Sequence, residues 1–518
     1  MAGRRLVTEV TRWCKLHRKR VFLPPPLTPP KSPFAFDVVD LAGRRRFLDN
    51  KQFQEIADEL HQHGLPLLAP RTVQRLTDRF ARYHLAVHLE SLPLLRKALQ
   101  LRGGYVLVPD ATGRAGRMTL VLTDDDDSGG TGWVLLAAPI EKEDADLVRP
   151  LLRRLQRGLG NPLAGISDDS DGLRDPFREV FPGVYLLLCH FHILRAIGER
   201  LSGKLYTRFK REVDRSGMKG RLRRLAGRLR KEHGKSQEAR QTLAWVEEVL
   251  AWEKADGRTF PFFWEGLEFY HRCEKVGREL KVQLSRPGSR AHGSPYRAVE
   301  RILARLFPPP KSREKLARDF PLLEEAWRWF ERTRKALGYR NGPVPLSPKG
   351  VLSEKALARG LRSQDWLRTK IEVEVARKSR SSRVREFHRH LKAVGEKLRE
   401  RREELFAPNV RVLVRGRWKL RRFHRANGAA ERKFHGVRHH ATRITGKGDS
   451  DDLVQRDGAG MLVVRNLRDP EYVRTLYQSI SRLAERFAKV SPEALAEAES
   501  ILTRKDEFTS AREALRQQ

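Results

Sequence analysis

The chain has 518 residues and carries 104 Lys and Arg against 65 Asp and Glu, so its formal net charge is +39. A hydrophobic fraction of 39% supplies enough apolar material for folded cores and excludes a disordered basic tail. A surface this cationic predicts a polyanionic partner, and nucleic acid is the first candidate.

Cysteine content and hydropathy indicate the compartment. The three cysteines, Cys14, Cys189 and Cys273, are too few for a disulfide framework in a chain of this length and favour a reducing environment. The longest uncharged apolar runs, 133–140 and 183–189, are much shorter than the roughly 20 residues that cross a bilayer. The basic N-terminus lacks the apolar segment of a secretory signal. We therefore expect a cytoplasmic protein without membrane contact.

A basic arm opens the chain. It covers residues 1–33 and ends in a Pro-rich stretch, 22–33. Because proline fixes φ and disfavours a helix before it, we expect this stretch to be an extended linker. The region 34–100 that follows is predicted to be helical and to bind DNA.

Two helices are predicted in that region. Apolar residues recur at helical spacing over 50–61 and 70–84, with a short Gly-containing turn between them. This outline is typical of a helix-turn-helix, in which Arg71, Thr72 and Arg75 of the second helix would enter the major groove. Plain helical packing is the alternative.

From Gly103 onward the pattern changes to strands. Three runs joined by turn residues predict an antiparallel meander over 105–108, 117–123 and 133–140. The next predicted elements are a helix, a strand, a helix and a strand, at 145–158, 163–167, 173–181 and 184–188. The order β-β-β-α-β-α-β predicts an α/β domain with a mixed sheet and is the element order of the ribonuclease H-like fold. The acidic run 124–127 is interpreted as a solvated hairpin turn.

A basic, helical stretch follows and predicts a large all-α insertion. Its many charged faces indicate solvated or DNA-facing surfaces. The predicted boundaries are 101–195 for the first part of the α/β core, 196–405 for the insertion, 406–475 for the last part of the core and 476–518 for a helical tail.

Two aspartates end predicted strands. Asp110 follows the first strand of the meander, and Asp168 follows the strand at 163–167. Such strands can lie side by side in a mixed sheet, which would bring both carboxylates within reach of one divalent ion. Paired hard cations held by carboxylates stabilise the attacking and leaving oxygens of an in-line displacement on DNA. The alternative for Asp110 is a residue that starts a turn.

A third acid lies in a basic segment near the end of the predicted core. Asn427 precedes a helix-like stretch that it can cap, and Glu431 lies in its first turns. The neighbouring cations Arg432, Lys433 and Arg438 suit phosphate contacts. A glutamate that only balances a basic helix is the alternative.

Cys189 and His192 follow the last predicted strand. Cysteine and histidine at this spacing can ligate zinc, but a structural zinc site needs four ligands, so zinc is not expected. A buried, apolar Cys189 and a His192 that caps or orients the active site are the other interpretations.

Together these residues resemble the DDE transposases, most closely the Mutator-like (MULE-type) branch and its bacterial insertion-sequence relatives. The shared motifs are Asp-x-Thr at Asp110, a strand-ending Asp168 followed by Phe-Pro, Cys-x-x-His at Cys189 and His192, and Asn-x-x-x-Glu-Arg at Asn427 and Glu431. The spacing to Phe-Pro favours Asp168 as the second acid and leaves Asp171 as the fallback.

The resemblance implies metal-dependent DNA strand cleavage and strand transfer at the terminal inverted repeats of an insertion sequence. Asp110, Asp168 and Glu431 would hold two Mg²⁺ ions, for which Mn²⁺ can substitute. The implied partners are double-stranded DNA, from element ends and target, and further copies of the chain in a homodimer or larger synaptic assembly on the bacterial nucleoid. The alternatives are a catalytically inactive or domesticated transposase that acts as a DNA-binding protein, and a nuclease of the same fold that cleaves without rejoining.

Overall fold

The computed structural model describes residues 11–14, 19–22, 28–114, 116–125, 132–231, 236–251, 260–286, 294–307, 314–338, 351–446 and 451–503. The protein is of mixed α/β type and mostly helical. It divides into two compact units: the described residues up to Cys189 together with those from Ala407 onward, and the segment His190–Phe406. The predicted insertion, 196–405, lies inside the second unit.

The strands form one mixed sheet and two hairpins. In chain order they are β1 (Thr11–Cys14), β2 (Lys19–Phe22), β3 (Val106–Arg114), β4 (Arg117–Asp124), β5 (Val134–Ile140), β6 (Ala164–Ser167), β7 (Tyr185–Leu188), β8 (Val410–Val414) and β9 (Arg417–Arg421). The sheet has the order β5-β4-β3-β6-β7, while β1 pairs with β2 and β8 with β9.

The predicted meander and mixed sheet are confirmed. Strands β3, β4 and β5 pair antiparallel, and β6 joins β3 and β7 in parallel. Strands β5 and β6 are almost wholly buried, which explains why their sequences are continuous apolar runs rather than alternating ones.

Helices account for most of the described residues. The first unit begins with α1 (Phe36–Phe47), α2 (Phe53–Gln62), α3 (Pro70–Glu90), α4 (Leu92–Leu101), α5 (Ala145–Leu159) and α6 (Asp171–Val180). The second unit contains α7 (His190–Arg215), α8 (Met218–Lys231), α9 (Gln237–Leu250), α10 (Glu265–Leu284), α11 (Pro295–Leu303), α12 (Glu314–Ala336), α13 (Glu354–Val375), α14 (Ser382–Glu400) and α15 (Arg402–Leu405). The first unit ends with α16 (Gly428–Thr445), α17 (Asp451–Val464), α18 (Pro470–Tyr477), α19 (Leu483–Phe487) and α20 (Pro492–Thr503), and has short 3₁₀ helices at Arg465–Arg468 and Ile480–Arg482.

Helix α3 extends further than its prediction and lies in the core. It packs against α1, α17 and α20, and its second half is buried almost throughout. Its first turns leave Arg71 and Arg75 exposed and Thr72 half-buried. The N-terminal helices and the C-terminal tail therefore share one core with the sheet, and α3 offers a partner only its first turns. Helices α1 and α4 were not predicted.

The acidic run is the clearest correction in the sheet. Its described half, Asp124 and Asp125, is buried rather than solvated. Asp124 Oδ1 accepts a hydrogen bond from Val106 N–H at 3.1 Å, and Asp125 Oδ2 lies 2.5 Å from Nδ1 of His424. The chain segment that leads into α16 covers this end of β4, which is why two acids are enclosed where a turn was expected. The rest of the run lies outside the described residues, as does part of the predicted 22–33 linker.

The second unit is helical, as the prediction of an all-α insertion requires. Buried aromatic side chains, including Trp264, Trp329 and Phe330, form its interior. The buried carboxylate of Asp319 pairs with Arg208 at 2.5 Å and with Arg383 at 2.8 Å. In neither unit does a described helix have the length and apolar character needed to cross a bilayer.

Candidate active site

Asp110 lies inside a strand rather than at its end. Strand β3 continues to Arg114, and Asp110 pairs with Val121 of β4. The register between β3 and β6 covers Val106 and Leu107, because β6 is short and ends at Ser167. Asp110 therefore lies where β3 extends past its parallel neighbour. The interpretation of Asp110 as a turn residue is wrong.

Two N–H groups hold the Asp110 carboxylate. Oδ1 accepts from the backbone N–H of Ala111 at 2.9 Å, and Oδ2 accepts from the side-chain amide of Asn427 at 3.2 Å. The residue is only 9% exposed. Its oxygens are thus fixed in position by one local and one distant donor.

Asn427 does not cap helix α16, contrary to the prediction. It stands at the N-cap position, yet its side chain makes no capping hydrogen bond. Instead the buried side chain links Asp110 to Cys189, whose Sγ lies 3.4 Å from both the Oδ1 and the backbone N of Asn427. Cys189 is a buried thiol that is hydrogen-bonded to this asparagine. The motif cysteine and asparagine therefore position the first acid.

Asp168, and not Asp171, acts electrostatically on Asp110. Asp168 follows β6 directly, is half-buried, and accepts from the N–H of Ser170 at 3.2 Å. Asp171 begins α6 with 79% of its side chain exposed, and it pairs with Arg174 at 3.0 Å. Arg174 also lies 3.6 Å from Asp169. Of these three acids, Asp168 is the one whose charge acts on Asp110.

Mutual repulsion among carboxylates characterises the site. The pKa of Asp110 is raised well above its usual value, first by burial and then by the negative charge of Asp168. Glu431 and Glu143 add smaller effects in the same direction, while the N–H of Ala111 opposes them. Glu431 is exposed in the first turn of α16, which contacts β3 and β4. Acids from separate parts of the sequence therefore share one electrostatic neighbourhood.

Glu143 is a site residue that sequence reasoning missed. It follows β5 at the opposite edge of the sheet, and a hydrogen bond joins it to the side chain of Ser170. Its pKa is raised by burial and by Asp168. A Cβ at Gly172 would come within 2.2 Å of the Glu143 carbonyl, so this close approach requires glycine. The dense charge of the sequence around Glu143 gave no signal that could have singled it out.

The donor set suits a hard divalent cation. Carboxylate oxygens are what Mg²⁺ binds, and a cation would relieve the repulsion that raises the pKa of Asp110. Within the part of the chain that the structure describes, however, no group of three or more His, Cys, Asp or Glu residues is already arranged to hold a metal ion. The acids fit a divalent ion by their chemistry and charge. The predicted supporting residue His192 lies on α7 of the second unit, and its buried Nδ1 has no hydrogen-bond partner.

The predicted phosphate contacts on α16 differ in accessibility. Arg432 is exposed, and the exposed Arg438 donates a hydrogen bond to Oγ1 of Thr112, two residues beyond Asp110. Lys433 is only 8% exposed, and burial lowers its pKa to about 8. The contact of Lys433 with phosphate stays a prediction, and its burial gives it less support than the exposed Arg432 and Arg438 have.

Comparison of the chain with models of protein families and with curated proteins gives no match. The site is consequently interpreted from its own geometry and chemistry.

Proposed function

We propose that this chain is a DDE transposase of the Mutator-like type, which cleaves DNA strands and transfers them at the ends of an insertion sequence. The observation that carries the proposal is that the charges of Asp168 and Glu431, from two distant parts of the sequence, both act on the buried carboxylate of Asp110. The sheet order β5-β4-β3-β6-β7 and the helical unit between Cys189 and Ala407 support assignment to the ribonuclease H-like fold.

Each side chain has a definite task in this proposal. Asp110, Asp168 and Glu431 would hold the divalent ions, Mg²⁺ or Mn²⁺, which when bound stabilise the attacking and leaving oxygens of phosphoryl transfer. Asn427 and the N–H of Ala111 orient the Asp110 carboxylate and favour its ionised form. The exposed Arg432 and Arg438 supply positive charge for DNA phosphates on the helix that carries Glu431.

The proposal is tested by incubating the purified chain with labelled DNA that contains the sequences flanking its gene, together with unlabelled target DNA. We expect cleaved and joined products with Mg²⁺ or Mn²⁺ and none with EDTA. Cleavage without joined products would instead identify a nuclease. DNA binding without cleavage, when the correct ends are supplied, would identify a non-catalytic DNA-binding protein, for which the +39 charge is sufficient.

Replacing Asn427 with leucine is expected to slow strand cleavage about 10- to 100-fold at neutral pH, because a hydrogen bond to a charged group contributes roughly 1.5–3 kcal/mol. Without the amide donor, the Asp110 carboxyl holds its proton to higher pH. The acid limb of the pH–rate profile should therefore move upward, and activity should recover in part at alkaline pH.

The matched control for this variant is Asn466→Leu. Asn466 is also a buried asparagine, but it bonds to the backbone of Val134 at 2.8 and 2.7 Å and not to an acid. Its loss should lower stability without moving the pH–rate profile. If the cleavage rate of Asn427→Leu is lower at every pH but the acid midpoint of its pH–rate profile is unchanged, Asn427 does not act by positioning the Asp110 carboxylate.

A further inference from the structure

The hairpin β8–β9 has one packed face and one open face. Residues that pair across the two strands lie on the same face of the hairpin. The pairs Val412–Lys419 and Val414–Arg417 lie on one face, and the pair Leu413–Trp418 lies on the other. Val412 and Val414 lie over Gly103, where a Cβ would come within 2.6 Å of the Val414 side chain. The other face is directed to solvent.

The structure holds this hairpin firmly to the sheet. Its last residue, Arg421, is buried and donates from Nη2 to the Asp125 carbonyl at 3.0 Å. The N–H of Asp125 in turn donates to the carbonyl of Val106 in β3 at 2.9 Å. The two-residue turn has positive φ at both Arg415 and Gly416, as tight hairpin connections require. The open face is thus presented on a fixed support.

Apolar and basic side chains share the open face and its edges. Trp418 is 71% exposed, and the flanking Leu413 and Leu420 are also exposed. The segment between Val410 and Phe423 contains no acidic residue. Of its exposed cations, Arg411 lies on the face of Trp418 and Arg415 in the turn, whereas Arg417 and Lys419 lie on the face of Val414 and Val412. An exposed indole among cations suits a ligand that offers both planar apolar faces and negative charge.

We propose that the open face of β8–β9 binds unpaired DNA, with a base stacked on Trp418 and the flanking phosphates on the hairpin cations. Sequence-tolerant single-strand sites combine a cationic track with aromatic stacking in this way. Duplex DNA would satisfy the cations but not the indole, because its bases are stacked on one another. A second copy of the chain would bring the same cluster of cations against itself and be repelled.

The location of the hairpin relates this surface to the candidate active site. Val106, at which the hairpin is anchored through Asp125, lies four residues before Asp110 on β3, roughly 13 Å in an extended strand. If the proposed function holds, bases that become unpaired near the cleaved phosphate would lie within a few nucleotides of this surface. Binding of unpaired DNA itself does not depend on that function.

The proposal is tested by measuring the Kd of the full chain for labelled oligo(dT) and for a blunt duplex of equal length, in EDTA so that no chemistry occurs. Trp418→Thr keeps a residue that favours strands and is expected to raise the Kd for oligo(dT) about tenfold while changing that for the duplex less than about twofold. Trp418→Phe retains a ring and should remain within about threefold of the wild type.

Matched controls separate stacking from charge and from general damage. Trp366 is also an exposed tryptophan, 53% exposed with Lys370 near its ring, but it lies on α13 of the second unit, so Trp366→Thr should leave both constants unchanged. The pair Arg411→Ala and Arg415→Ala should weaken oligo(dT) binding more than the pair Arg389→Ala and Lys392→Ala, which removes two exposed cations on α14.

Three results would overturn the proposal: an unchanged oligo(dT) Kd for Trp418→Thr, an equal loss for single-stranded and duplex DNA, or self-association of the wild type that this substitution abolishes. Cleavage in Mg²⁺ is scored separately. If the wild type does not cleave DNA but binds oligo(dT) in a way that depends on Trp418, the proposed function is rejected and the proposal for the hairpin surface stands.

Discussion

Replacing Asp168 with asparagine is expected to reduce metal-dependent strand cleavage and strand transfer by at least about a thousandfold, since charge stabilisation by bound metal contributes several kcal/mol to such reactions. The amide keeps the size of the side chain but removes the charge that acts most strongly on Asp110. An Asp110 with a neutral neighbour ionises more easily, yet the site loses one anionic ligand. DNA affinity should remain nearly unchanged, because the substitution removes no cation.

Asp171→Asn provides the matched control. It is the same substitution three residues later, at an exposed carboxylate that pairs with Arg174. Because Asp171 does not act on Asp110, the activity of Asp171→Asn should remain within about threefold of the wild type. This is the size of effect expected when an exposed ion pair, here that with Arg174, is lost. Both variants are assayed for cleaved and joined products and for DNA binding. Retained activity in Asp168→Asn with loss in Asp171→Asn would reverse the assignment of the second acid.

Glu431→Gln extends the same test to α16. The residue is exposed, so its substitution should not disturb the core. Strand transfer is expected to be lost as in Asp168→Asn. A Glu431→Gln variant that still joins strands would remove this residue from the proposed metal site.

The central sheet could be predicted because its local patterns are consistent. Apolar runs such as Val134–Ile140 end at turn residues, and the helices between β5, β6 and β7 have a clear apolar stripe. Parallel pairing of β3 with β6 then brings Asp110 and Asp168 to one region. The proximity of these two acids depends on which strands are neighbours in the sheet, and the order of elements along the chain already indicates those neighbours.

The features of the site that sequence reasoning missed are defined by tertiary contacts. Asn427 carries a capping signal, but its amide is taken by Asp110, 317 positions away. Glu143 reaches the site because Gly172 allows its loop to approach α6. Hairpin β8–β9 did have a local signal, namely alternating residues around Arg-Gly, which was obscured by its many cations. Propensity and spacing are local quantities and contain no information on such long-range partners.

The burial of α3 also rests on long-range partners. His84 Nδ1 lies 2.7 Å from the Tyr477 hydroxyl, and His88 Nδ1 lies 2.8 Å from that of Tyr472. The Nε2 atoms lie 3.3 Å and 2.8 Å from the carbonyls of Val463 and Leu135. Each neutral ring can donate at Nε2 and accept at Nδ1, so both hydrogen bonds are satisfied without charge. These contacts join α3 to the C-terminal helices and to the sheet.

Acidification is therefore expected to unfold the first unit. Burial lowers the pKa of His84 to about 3 and that of His88 to about 4, whereas both titrate near 6.5 when unfolded. Below pH 6.5 these histidines bind protons in the unfolded chain but stay neutral in the folded chain. Their contribution to the free energy of unfolding is therefore fully present above pH 6.5 and is lost as the pH decreases. These two groups alone reduce the free energy of unfolding by about 2.7 kcal/mol per pH unit between roughly pH 5.5 and 5. His440 on α16, whose pKa burial lowers to about 3, acts in the same direction. The accumulated loss, on the order of 5 kcal/mol at pH 4, is comparable to the whole stability of many domains.

Urea unfolding from pH 7 to 4 measures this dependence, and His88→Gln assigns it. Glutamine keeps a donor and an acceptor but does not titrate, so the variant should be less stable at pH 7 and lose stability less steeply, by about 1.4 kcal/mol per pH unit. Asp40, whose pKa burial raises to about 6, acts in the opposite direction and is unchanged in the comparison. His435→Gln, at an exposed position on α16, should leave the slope as it is. Equal slopes for wild type and His88→Gln would show that His88 is protonated inside the fold, and that the neutral ring does not hold α3 in the core.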